Sequence, residues 1–102
     1  MVAPIDQLDR IALEALCRQR HVRRLALFGS YSRGEAGPDS DIDILVDYEP
    51  NQSVTYLDLV DLADGLSELF GQGRRVDLVT RPALHPLMRK HVEQDMVVLY
   101  ER

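Results

Sequence analysis

From Ser40 to Tyr48 the chain reads SDIDILVDY, a strict alternation in which Asp41, Asp43, Leu45 and Asp47 fall on one side and Ile42, Ile44, Val46 and Tyr48 on the other. An extended strand, whose successive side chains point to opposite faces, separates these two sets. The segment therefore predicts a sheet strand with one face in a core and the other charged. The same pattern poses an energetic problem, because aspartate is a poor strand former and like charges at neighbouring positions of one face repel. With β-carbons roughly 6.5–7 Å apart, the carboxylates of Asp41 and Asp43 can converge on one divalent ion or bridge a pair. Hard oxygen ligands select magnesium or manganese over zinc.

Around this strand the chain alternates between helical and extended patterns. Ile5, Leu8, Ile11, Ala12, Ala15 and Leu16 recur at helical spacing from about residue 4 to 20, with Pro4 suited to a first turn. VRRLALFGS then switches to a short apolar run ending at a glycine, a buried strand over about 23–28. After the EPNQS turn, the Thr55 to Asp58 spacing resembles a capping box. It opens a helix whose Leu59, Leu62, Ala63, Leu66, Leu69 and Phe70 face inward and whose end suits Gly71 and Gly73. RRVDLVT predicts a third strand over about 74–80, ALHPLMRKHVEQD a short helix with Pro86 in its first turn, and MVVLY a final strand.

No repeat or interdomain linker interrupts the 102 residues, so residues 1–102 are expected to form one domain with a single modest core. A formal charge of −5 argues against general nucleic-acid binding, which depends on phosphate neutralisation. The basic clusters at Arg18, Arg20, His21, Arg23 and Arg24, at Arg74 and Arg75, and at Arg89 with Lys90 read as solvated helix ends and strand entries. The single cysteine, Cys17, excludes an internal disulfide and reads as a packing residue on a helix. No apolar run approaches the roughly 20 residues of a membrane span, and MVAPIDQLDR lacks the basic and apolar regions of a secretory signal. No membrane association is expected, and the cytoplasm is the expected location.

The loop before the strand supplies a second half of the chemistry. Gly29 and Ser30 stand where a strand ends, so bare backbone N–H groups and the Ser30 hydroxyl can approach phosphate oxygens, and Arg33 can neutralise them. Asp77 lies in the third strand and completes a carboxylate triad if that strand pairs beside the second. Two metals roughly 4 Å apart, so held, stabilise the entering and leaving oxygens of a phosphoryl displacement. Asp47 continues the acidic face and reads as a solvated charge at the strand end. Taken singly, Gly-Ser is an ordinary turn and Asp-x-Asp an ordinary strand edge. Their ordered conjunction points to a nucleoside triphosphate with its metals.

At these residues, GSYSRGEAGPDSDIDILV resembles the signature of the DNA polymerase β-like nucleotidyltransferase superfamily. The whole chain, about residues 4–101, is similar to its minimal members, the MNT or MntA-type antitoxins. The resemblance implies an α+β fold, a small mixed or antiparallel sheet packed with helices. It also implies that Gly29 and Ser30 hold nucleotide phosphates with Ser40 at the nucleotide, that Arg33 supports that loop, and that Asp41, Asp43 and Asp77 bind two Mg²⁺ ions, with Mn²⁺ as a substitute. Many relatives carry alanine where Ser32 stands, a small-for-small change. The implied chemistry is attack by a hydroxyl on the α-phosphate of ATP, with Asp77 assisting and pyrophosphate released.

In the antitoxin members the implied acceptor is a tyrosine of a partner HEPN-domain ribonuclease toxin, which makes a hetero-oligomer the expected assembly. So short a chain leaves little room beyond the nucleotide half of a site, so the acceptor side is expected from a partner. Leu84, Leu87 and Met88 are candidates for that contact, although core packing is their simpler reading. Two other functions keep the same fold: neutralisation of the partner by tight binding without catalysis, and nucleotide transfer to a small hydroxylated molecule.

Overall fold

A computed structural model of the chain describes residues 8–29, 32–34, 37, 40–71 and 73–102. Helix α1 (Arg10–Gln19) leads into strand β1 (Val22–Phe28), and β2 (Ile42–Tyr48) follows the glycine-containing loop. Helix α2 (Tyr56–Phe70), β3 (Val76–Thr80), α3 (Pro86–Asp95) and β4 (Val97–Glu101) complete the chain. The four strands form one mixed sheet in the order β3-β2-β1-β4, in which β1 runs antiparallel to both β2 and β4, and β3 runs parallel to β2.

Local chemistry sets the helix boundaries. Helix α1 starts later than the apolar spacing predicts, because the Asp9 carboxylate accepts hydrogen bonds from the N–H groups of Ile11 and Ala12, each at 3.1 Å, and so caps the first turn. Residues 8 and 9 are outside the helix, though Leu8 is buried. Pro4 and Ile5 lie outside the described residues. The capping box of α2 forms as its spacing predicts: the Thr55 side chain accepts from the Asp58 N–H while the Asp58 carboxylate accepts from the Thr55 N–H at 2.8 Å. Pro86 occupies the first turn of α3, behind His85, whose Nδ1 accepts from the Leu87 N–H.

Helices α1 and α2 cover one face of the sheet. Leu13 and Cys17 of α1 and Leu62 and Leu66 of α2 meet Leu25, Leu27, Ile42, Ile44, Val46 and Leu99, nearly all of them sealed from solvent. Each fully buried aliphatic side chain of this kind contributes about 1.5–3 kcal/mol over leaving it exposed. Gly65, in the middle of α2, weakens helix propensity but lets α1 come close, since a Cβ there would stand 3.0 Å from Leu16 Cδ1.

The opposite face corrects the expectation of a purely charged side. Leu45 shares that face with Asp43 and Asp47, yet it is 1% exposed, packed with Ala26 of β1 beneath Val92 of α3. Phe28, Leu84 and Met96 pack around this second, smaller cluster. The carboxylates thus border an apolar floor. Among the described residues no helix is long and apolar enough to cross a membrane.

Candidate active site

The chain reverses at the end of β1, and this reversal meets the start of β2. Phe28 pairs with Asp43 across the antiparallel ladder, so Gly29 follows directly beside the Asp43 carboxylate. Gly29 adopts a φ of 73°, and a Cβ built on it would lie 2.4 Å from Asp43 Oδ2. Both its backbone and its bare α-carbon are therefore required for the carboxylate to sit where it does. The Gly29 carbonyl accepts from the Ser32 hydroxyl at 2.8 Å and from the Arg33 N–H at 3.3 Å. Ser30, a predicted phosphate ligand, lies outside the described residues. Ser40 closes the far end of the loop: its Oγ accepts from the Gly37 N–H at 2.9 Å, and its own N–H donates to the Gly37 carbonyl at 3.2 Å.

Asp43 and Asp77 are register partners on the parallel β2–β3 pair, so their side chains rise from the same face of adjacent strands. Asp41 occupies the residue just ahead of β2 and is exposed, as is Asp77, while Asp43 is half-buried. Burial first, and then the neighbouring Asp77 and Asp41 charges, push the Asp43 carboxyl above its ordinary value, while Arg33 acts in the opposite direction. Three carboxylates and one guanidinium thus share one electrostatic neighbourhood. Excess negative charge on hard oxygen donors is the chemistry that divalent magnesium or manganese relieves. Among the described residues these groups do not close into a finished three-ligand cage.

Asp47, on the same face but one strand-length away, belongs to a different arrangement. Arg81 Nε donates to its carboxylate at 2.9 Å, Arg24 stands 3.7 Å away, and Arg81 reaches on to Glu93 at 3.2 Å. It is a paired charge in a salt-bridge network rather than the solvated strand end expected. Leu84 packs into the smaller cluster, but Leu87 and Met88 are 76% and 49% exposed, so core packing does not account for those two.

On one wall of the site, sequence reasoning named Met88 only as a partner contact or core residue and passed over His91 and Asp95. A cleft of about 340 Å³ opens beside Asp43, with Phe28 and Arg33 on one side and Met88, His91 and Asp95 of α3 on the other. The signal was present, since positions 88, 91, 92 and 95 follow the i, i+3, i+4, i+7 rule for one helix face.

The model of the nucleotidyltransferase domain family matches residues 9–99. The protein adenylyltransferase MntA of Thermococcus cleftensis is 45% identical over 76 residues, covering 74% of this chain and 73% of that protein. A solved minimal nucleotidyltransferase aligns with a TM-score of 0.70 and 39% identity over 86% of each chain. A chain of a toxin–antitoxin complex crystallised with AMP-PNP aligns with a TM-score of 0.71 and 26% identity, over 93% of this chain and 75% of that one. With its mixed sheet, its carboxylates beside a glycine turn and these relatives, the chain belongs to the nucleotidyltransferase domain family, as an enzyme of the minimal nucleotidyltransferase type.

Proposed function

We propose that this chain is an antitoxin that transfers AMP from ATP to a tyrosine hydroxyl of a partner toxin of the HEPN ribonuclease class, silencing it. The observation that supports this reading is the register pairing of Asp43 with Asp77 beside the Gly29 turn, with the Asp41 charge felt at the same carboxyl. The MntA relative, named a protein adenylyltransferase, and the neighbour from a toxin–antitoxin complex with AMP-PNP support the substrate and the partner.

In this reading the N–H groups of the turn after Gly29, with the Ser30 hydroxyl, bind the β- and γ-phosphates, and Arg33 balances their charge. Ser40, whose Oγ accepts from the Gly37 N–H, fastens the end of the loop next to Asp41. Asp41, Asp43 and Asp77 are the residues that would hold two Mg²⁺ or Mn²⁺ ions, which supply charge neutralisation at the entering and leaving oxygens. The acceptor oxygen forms a bond to the α-phosphorus as the bond to the β-phosphate oxygen breaks. Pyrophosphate departs along the loop, and the hydroxyl proton passes to Asp77. The partner contributes the acceptor side, and Leu87, exposed on α3, is a contact for it.

Intact-mass spectrometry of the partner toxin incubated with this chain, ATP and magnesium tests the proposal, with the double variant Asp41→Asn, Asp43→Asn alongside. Increments of one AMP unit that vanish in the variant are expected. An unmodified toxin silenced equally by both forms would establish neutralisation by binding alone.

A further inference from the structure

The parallel ladder between β2 and β3 reaches one residue past the strands at the end that carries the carboxylates. The Arg75 carbonyl accepts from the Ile42 N–H at 2.8 Å, so the pairing of Ile42 with Val76 and of Asp43 with Asp77 sets Arg75 opposite Asp41. Val76 and Leu78 pack against the α1–α2 core, so Arg75 and Asp77, which alternate with them, fall on the face that carries Asp43. An arginine read from the sequence as a solvated strand entry thus stands at the edge of the carboxylate face.

Its backbone is held on both sides while its charge is not engaged. The Ser67 hydroxyl, near the end of α2, donates to the Arg74 carbonyl, and the Ile42 hydrogen bond fixes the next residue. The Arg75 side chain is exposed, and among the described residues it has no hydrogen-bond or ion-pair partner. A guanidinium next to carboxylates ordinarily pairs with them, and the packing of the fold makes no use of this one.

The sheet order decides which reactant it meets. Strands β1 and β3 flank β2, with the Gly29 turn on the β1 side and Arg75 and Asp77 on the β3 side, where no further strand covers them. In-line displacement puts the entering and leaving oxygens on opposite sides of the phosphorus. With the phosphates at the Gly29 turn, the acceptor oxygen enters from the β3 side.

Resting on the nucleotidyl-transfer reading above, we infer that Arg75 is an acceptor-side residue that stabilises the attacking tyrosine as its phenolate. The phenol oxygen bonds to the α-phosphorus as the bond to the β-phosphate oxygen breaks, and the phenol proton goes to Asp77. The permanent positive charge of Arg75 offsets the negative charge left on that oxygen. Asp41 and Asp43 from β2 and Asp77 from β3 face the same oxygen with the opposite sign, and Arg74 is occupied by contacts of its own.

Single-turnover AMP transfer to the partner toxin, read by intact mass from about pH 7 to 10 with saturating ATP and magnesium, tests this, and circular dichroism confirms that each variant is folded. Arg75→Gln should slow transfer about tenfold or more at pH 7, the worth of one pKa unit at the acceptor, and the deficit should shrink as pH nears the phenol's own range. Arg75→Lys should recover most of the rate, and neither variant should change the affinity for AMP-PNP. No deficit in Arg75→Gln, a deficit of the same size at every pH, or a lysine variant as slow as the glutamine one overturns the role of Arg75 alone. Absence of transfer by the native chain at every pH overturns the nucleotidyl-transfer reading with it.

Discussion

Gly29 and Asp43 touch across the β1–β2 junction so closely that no side chain fits between them: a Cβ on the glycine would meet the carboxylate oxygen at 2.4 Å. Gly29→Ala therefore carries two penalties, a left-handed backbone and a displaced carboxylate. Gly34 shares the φ of 73° but faces open space, so Gly34→Ala carries only the first. Urea denaturation should show Gly29→Ala destabilised by about 2–3 kcal/mol and Gly34→Ala by about 1 kcal/mol. AMP transfer should be lost only in Gly29→Ala.

Metal-free protein should gain stability from Asp43→Asn. The native state holds the Asp43 proton above the ordinary carboxylate value, so it binds more protons than the unfolded chain between that value and the raised one. Its stability therefore falls as pH climbs through this window. In EDTA at neutral pH, Asp43→Asn should melt about 2–5 °C higher than the native chain, with a flatter pH profile, while transferring no AMP. A lower melting temperature would contradict the charge-crowding account.

At α2 the sign is reversed. Hydrogen bonds from Thr55 hold the Asp58 carboxyl below its ordinary value, a contribution present above the unfolded pKa and lost as pH falls through the native one. Thr55→Ala should lower the melting temperature by about 4–8 °C at pH 7, the usual worth of one helix cap in a domain of this size. Melting curves of the two proteins should draw together on acidification.

Cys17 should be chemically silent in the native protein. Burial, reinforced by Glu14, pushes its thiol up to about 12, leaving almost no thiolate at pH 8. Ellman's reagent should label the native protein only as fast as it unfolds, and label it stoichiometrically in urea. Rapid native labelling would mean that α1 separates from the sheet.

On α3, Leu87 is largely exposed and has no packing role of its own. Leu87→Glu should leave the melting temperature unchanged while weakening binding to the partner toxin by about tenfold or more, as measured by calorimetry. Unchanged affinity would place the partner on another surface.

Patterns with local causes were legible in the sequence. The alternation of Ile42, Ile44 and Val46, the Thr55–Asp58 box and Pro86 at the head of α3 each depend on residues a few positions apart, and each appears as read. Pairings between distant residues were not legible. Leu45 looked like one more position on an exposed face because nothing nearby reveals that Val92 covers it. Asp47 looked solvated because Arg81 lies 34 residues away. Of the candidate site, the motif pointed to Asp41, Asp43 and Asp77 together, and the parallel register brings Asp43 beside Asp77. On the α3 wall, Met88 read as a partner contact or core residue and His91 and Asp95 were passed over, because nothing near them in sequence shows which strand end the helix leans over.

Parallel pairing of β3 with β2 places Asp77 on an outermost strand, held on one side alone. Edge strands detach before the centre of a sheet does, so opening of this seam would carry Asp77 away from Asp43 and lift Val76 and Leu78 from the α1–α2 core. Local opening of β3 should therefore disable the site before the molecule melts. Amide hydrogen exchange along Val76–Thr80 would report that opening directly.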